Sequence, residues 1–269
     1  MDQEVLSSYE IIDAHAHIFP EKIVDAATIN IGKFYDLKMH CIGSSKMLIE
    51  EGSKAGVSKY LVCSTATKPH QVESINRFIG EECRLHKEFY GFGTLHPESD
   101  NIEAEITEIN KLGLHGVKLH PDFQKFDMDS PRAYKIYEQI EGKLPVLIHC
   151  GDSRYEYSAP KKVANIHRDF PNLKIIAAHF GGYERWDEAQ EYIAGLENVK
   201  VDTCSSMYFL GTDKTRKLIS KFGIENCFFG VDFPMWRHID ELKMLFDLNL
   251  SHDDNQKILA NNFKSFMNI

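Results

Sequence analysis

The chain has 269 residues, 43% hydrophobic and 26% charged, with a formal net charge of -9 at pH 7. That length carries one large core or two small ones, and its acidic excess argues against a general nucleic-acid surface. No run approaches the ~18 apolar residues of a membrane helix, and Met1-Asp2-Gln3-Glu4 has neither the basic nor the apolar part of a signal peptide.

Short apolar runs alternate with amphipathic stretches along the whole chain. Strands are expected at 10–16, 59–64, 89–95, 116–120, 145–149, 174–179, 199–203 and 227–232. Runs such as Val146-Leu147-Ile148 and Ile175-Ile176-Ala177-Ala178 are apolar throughout, as in strands covered by helices on both faces. Helices are expected at 44–55, 69–88 and 102–112. The next starts at Ser130-Pro131, an N-cap followed by proline at the first helical position. Others follow at 160–169, 184–194, 212–222, 238–246 and 251–267, the last opened by Ser251-His252-Asp253-Asp254.

Eight β-then-α units without a low-complexity linker predict an α/β fold, the (β/α)8 TIM barrel, as one domain over 1–269. An extended irregular loop at 19–41 follows the first strand and would lie over the catalytic mouth as a lid. The competing fold, a doubly wound open sheet, usually carries a glycine-rich first βα turn, and none follows here. Six cysteines at 41, 63, 83, 150, 204 and 227, with no CxxC, read as reduced thiols in a cytosolic protein.

Histidines recur where these strands end. His15 and His17 close the first strand two residues apart, so both point to one face and can reach one point beyond it. His96, His120, His149 and His179 end strands three to six, and Asp232 ends strand eight. In a parallel barrel all these ends converge on one mouth. Six of the thirteen histidines would share that rim with a carboxylate.

The set His15-x-His17, His149, His179 and Asp232 resembles the amidohydrolase superfamily. The phrases Asp13-Ala-His-Ala-His-Ile-Phe-Pro20, Gly116-Val-Lys-Leu-His-Pro121, His179-Phe-Gly-Gly182 and Gly230-Val-Asp-Phe-Pro234 look like its amidohydrolase-2 branch, the aminocarboxymuconate-semialdehyde decarboxylase-like enzymes. The resemblance runs from residue 11 to about 234. It implies that His15, His17, His149 and Asp232 hold one divalent metal, zinc, with a second ion left open. His179 would stand by the bound water as the proton-transfer group or as a further ligand, with Asp232 sharing the proton. The branch often forms homodimers. A metal held by three imidazoles and a carboxylate can lower the pKa of bound water to roughly 7.

Lys118 and His120 share one strand face. Lys118 reads as a structural ion pair inside the barrel, although in two-metal relatives a strand-four lysine is carboxylated and bridges the ions. His120 is a candidate for substrate contact or a second metal. His96 reads as a loop histidine beside Pro97, and Cys150 as packing. Loop residues Arg154, Tyr155, Ser205, Ser206, Tyr208, Trp236 and Arg237 offer substrate contacts, Arg154 being suited to grip a carboxylate.

Three functions are compatible with these residues. The first is a metal-dependent hydrolase of a small amide, lactone or ester, acting through metal-activated water. The alternative is a non-oxidative decarboxylase (carboxy-lyase) of a small carboxylic acid. The third is a barrel that binds metal without catalysis, against which the proton-transfer set argues.

Overall fold

The computed structural model describes residues 3–269. Met1 and Asp2, part of the opening segment read above, lie outside the described residues. The strands are β1 (Ile11–His17), β2 (Val57–Cys63), β3 (Phe89–Thr94), β4 (Gly116–Leu119), β5 (Val146–Ile148), β6 (Ile175–Ala177), β7 (Val199–Asp202) and β8 (Cys227–Phe228). Their order in the sheet follows the chain. The registers from β3 through β7 are parallel. The helices are α1 (Gln3–Ser7), α2 (Val24–Tyr35), α3 (Ser45–Lys54), α4 (Val72–Leu85), α5 (Ile102–Lys111), α6 (Pro121–Gln124), α7 (Pro131–Ile140), α8 (Pro160–Asp169), α9 (Trp186–Tyr192), α10 (Met207–Phe222), α11 (His238–Phe246), α12 (His252–Gln256) and α13 (Asn262–Met267). This is the expected (β/α)8 barrel fold. Among the described residues no helix is long and apolar enough to cross a membrane.

Contacts divide the chain into two compact units, Met1–Val62 with Thr203–Ile269, and Cys63–Asp202. In the first, β1 is buried along its length except at His17. The extended loop expected at 19–41 is corrected here, because twelve of its residues form α2. Asn30, Gly32 and the β-branched Val24, Thr28, Ile29 and Ile31 have weak helix propensity, and Ile23 gives no side-chain cap. What holds α2 is tertiary: Val24, Thr28 and Gly32 bury one face at helical spacing. Its flanks are tied down as well. Gly43 N–H donates to Thr28 Oγ1, Phe19 N–H to the Gly43 carbonyl, and Cys41 N–H to the Pro234 carbonyl.

Strand β8 is shorter than expected because its continuation bonds to other acceptors. Phe229 N–H donates to Ile258 O, Gly230 N–H to Thr203 Oγ1, and Val231 N–H to Asp13 Oδ1. The same Ile258 carbonyl lies in a π turn, Lys257–Asn261, that interrupts the expected helix at 251–267. An outside donor on a helix carbonyl is a common companion of such a bulge. Gly211, at φ 68, breaks α10, so its regular part begins at Thr212 as the sequence indicates.

In the second unit, caps set the helix starts. Asn101 and Ser130 accept from Ala104 and Ala133 N–H, and Pro131 and Pro160 occupy first-turn positions. The chain after β5 runs against the chain after β6, through a bridge between Gly151 and Tyr183. Gly151 sits at φ 91, and a Cβ there would overlap the Tyr183 backbone.

Candidate active site

In the first unit, the end of β1 and the turn after β8 carry three donor atoms close together. His15 Nε2 and His17 Nε2 are 3.2 Å apart. Asp232 Oδ1 is 3.3 Å from His17 Nε2 and 3.8 Å from His15 Nε2. Donors about 2.1 Å from a tetrahedral ion are separated by roughly 3.4 Å, so these spacings fit one small divalent metal. The opposite side of His15 is also fixed, with Nδ1 3.1 Å from Cys204 Sγ. A partner on Nδ1 leaves Nε2 as the ligating nitrogen.

Asp232 is held from its other oxygen. Ser205 Oγ donates to Oδ2 at 2.6 Å, and Trp236 Nε1 donates to Ser205 Oγ at 2.9 Å. Asp232 N–H donates to the His15 carbonyl, which joins two ligand candidates through backbone. Asp232 and Ser205 both have left-handed backbone, φ 61 and 50. Such non-glycine conformations persist only where surrounding bonds enforce them.

In the second unit, His149 lies between two groups. Its Nδ1 is 2.9 Å from His179 Nε2, and its Nε2 is 3.6 Å from Asp122 Oδ2. Ser158 Oγ is 2.6 Å from the same carboxylate oxygen. Burial pushes the Asp122 carboxyl up to about 7, against the lowering by Ser158 and with further raising by nearby Asp152. His179 N–H donates to Asp202 Oδ1, and Trp186 Nε1 donates to the His179 carbonyl. His179 and Phe180 are left-handed too, φ 61 and 50.

His120 is sandwiched, its ring 3.8 Å from Phe123 and 4.0 Å from His149, nearly parallel to both. Its Nδ1 accepts from Phe123 N–H and so caps α6. Parallel rings point their in-plane lone pairs alongside one another rather than at one point. Lys118 is fully buried on β4, and its charge lowers the pKa of the Cys150 thiol, which burial pushes up by more. Arg154 clasps Asp152 with two parallel bonds, Nε to Oδ1 at 2.9 Å and Nη2 to Oδ2 at 2.7 Å. Arg237 bonds Asp240 through Nε to Oδ2 at 2.8 Å. His96 is buried, accepts from Glu98 N–H, and has its pKa lowered by burial.

The structure thus brings His15, His17 and Asp232 together in one unit, and His120, His149 and His179 together in the other. Sequence reasoning missed Asp122, Asp13 and Cys204 as supports. Only Asp13 carried a signal, its place two residues before His15.

Residues 12–262 match the family model described as amidohydrolase. Similar solved structures include an uncharacterized TIM-barrel protein from Bordetella bronchiseptica, 18% identical over 96% of this chain and 98% of that one, TM-score 0.77. Another is a dihydroxybenzoic acid decarboxylase from a Polaromonas species with bound manganese and the inhibitor 2-nitroresorcinol, 14% identical over 97% of each chain, TM-score 0.71. A third is a Pseudomonas putida protein proposed to be a 2-pyrone-4,6-dicarboxylic acid hydrolase, 16% identical over 96% and 97%, TM-score 0.68. At these identities the likeness is one of fold.

Proposed function

The chain belongs to the amidohydrolase family of enzymes, and on that premise we propose that it is a metal-dependent hydrolase of a small amide, lactone or ester. The observation carrying this reading is the trio His15 Nε2, His17 Nε2 and Asp232 Oδ1 at spacings of 3.2 to 3.8 Å. His149 is the fourth ligand in the proposal. The Asp122 carboxylate on its Nε2 side favours the tautomer whose lone pair lies on Nδ1. Three imidazoles and a carboxylate suit zinc, while manganese is the ion named with the Polaromonas decarboxylase. When bound, such an ion supplies Lewis acidity that activates water and polarises a carbonyl.

The chain's own groups then move the protons. His179 is proposed to accept a proton from the attacking water at Nε2 and return it to the leaving group, a role typically worth 10²–10⁴-fold. Its backbone holds it in place, the N–H donating to Asp202 Oδ1 and the carbonyl accepting from Trp186 Nε1. Asp232 shares the proton through Oδ1. Stacked between Phe123 and His149, His120 steadies the His149 ring rather than meeting substrate with a face, and Lys118 acts in the interior through its charge.

A decarboxylase is the second reading, favoured by the activity named for the Polaromonas structure. Hydrolysis is preferred because Arg154, the candidate for a substrate carboxylate, already commits its Nε and Nη2 donors as a fork to Asp152. The same reading treats residues 1–269 as one catalytic domain in a cytosolic homodimer, and six cysteines outside any disulfide fit a reducing compartment.

Metal analysis after gentle purification is expected to give about one ion per chain, with stability lost in chelator. Less metal and unchanged stability would reject the proposal. Against a substrate panel, incorporation of labelled water oxygen supports hydrolysis, whereas release of CO2 rejects it. Light scattering at the mass of one chain would reject the dimer.

A further inference from the structure

We propose that Ser205 is a positioning residue that makes Asp232 meet the metal through Oδ1 alone, an inference that rests on the metal reading above. The direction of the hydrogen bonds is fixed by chemistry. An indole N–H only donates, so at 2.9 Å Trp236 Nε1 must use Ser205 Oγ as acceptor. The single hydroxyl proton then goes elsewhere. Asp232 Oδ2 lies at 2.6 Å and Met235 Sδ at 3.5 Å, and a carboxylate is much the stronger acceptor. The relay therefore runs from Trp236 through Ser205 to Asp232.

Ser205 and Trp236 are both buried, so bulk water does not compete for these bonds. The Trp236 ring is itself held, packed 5.2 Å from Tyr208 and 6.1 Å from Phe209. Through its hydrogen bond the Ser205 hydroxyl draws electron density from Oδ2 and fixes the rotation of the carboxylate, which makes Oδ2 the weaker donor and disfavours chelation of an ion through both oxygens. With that bond intact, Oδ1 is the oxygen turned toward His15 and His17. Both Ser205 and Asp232 have left-handed backbone, φ 50 and 61.

The test uses cobalt(II), whose visible bands lose intensity as its coordination number rises. Chelator-stripped protein is titrated with Co2+ alone, as wild type, Ser205→Ala, Ser205→Thr and Trp236→Phe, with folding checked by circular dichroism. Ser205→Ala should weaken the bands and change Co2+ affinity by about 10- to 100-fold, the usual effect of removing a partner of a metal ligand. Ser205→Thr, which keeps the hydroxyl, should restore the wild-type spectrum. Trp236→Phe should move the spectrum the same way as Ser205→Ala by a smaller amount, and it decides the matter where Ser205→Ala does not fold. Spectra and affinities matching wild type in the folded variants would overturn the proposal. Failure of the wild type to bind Co2+ would instead overturn the metal reading beneath it.

Discussion

Asp13 and His238 form a fully buried pair, with Oδ2 and Nε2 3.0 Å apart. The other oxygen of Asp13 accepts the backbone N–H groups of His15 and Val231, each at 3.0 Å. One carboxylate thereby joins β1, the turn leading to Asp232 and the start of α11. Burial raises its pKa, and the hydrogen bond and charge of His238 draw it back. Its role is to register one ligand candidate against another.

Asp13→Ala strands a buried imidazole and two backbone donors. The expected cost is about 3–5 kcal/mol of stability, as for removal of one partner of a buried pair. Urea denaturation of the chelated protein reads it, and metal content of the surviving folded fraction should fall as well. A loss below about 0.5 kcal/mol, the usual range for surface changes, would show that the pair carries no registering role.

Asp122 makes stability depend on pH in an unusual direction. Its carboxyl sits at about 7 in the fold against 3.8 ordinarily. Between those values the folded state holds a proton that the unfolded chain has lost. Its contribution is fully present below about pH 4 and is lost as pH rises through 7. Asp122→Asn keeps an acceptor for Ser158 without the charge. Relative to wild type, the variant should therefore gain stability from pH 4 to 8, on the order of a few kcal/mol. Parallel stability curves in chelator would contradict this.

His179→Asn should retain the metal and lose turnover by about 10²- to 10⁴-fold. Metal analysis and steady-state rates on one preparation check both halves. Full activity would remove His179 from proton transfer, and loss of the ion would make it a ligand.

Arg154→Ala should leave KM within about threefold, because the guanidinium is engaged with Asp152 and partly exposed. An increase of about a hundredfold would mean that it holds a substrate carboxylate after all.

The barrel was legible because buried parallel strands are apolar on both faces, as in Val146–Ile148, and because Ser130-Pro131 marks a helix start by local chemistry alone. The ligand candidates were legible because strand alternation places His15 and His17 on one side. Helix α2 was not, since its stability comes from Val24, Thr28 and Gly32 packing rather than propensity. Asp122 was hidden for a similar reason. Nothing local distinguishes a carboxylate that the chain will bury beside His149 from one left in water. The direction of Arg154 was equally unreadable, as its partner Asp152 is only two residues away and either could have faced a ligand.

Asp152, His179, Phe180, Ser205 and Asp232 all sit at positive φ just beyond strand ends. Each such residue costs of order 1–3 kcal/mol in backbone strain. Glycine there would relieve the strain, yet Phe180 fills the core and three of the five are the groups assigned to ligation, proton transfer or carboxylate alignment. The positions where this enzyme is easiest to toughen are thus the ones an engineer has least freedom to touch, and gains in robustness must come from helices such as α2, where sequence and fold agree least.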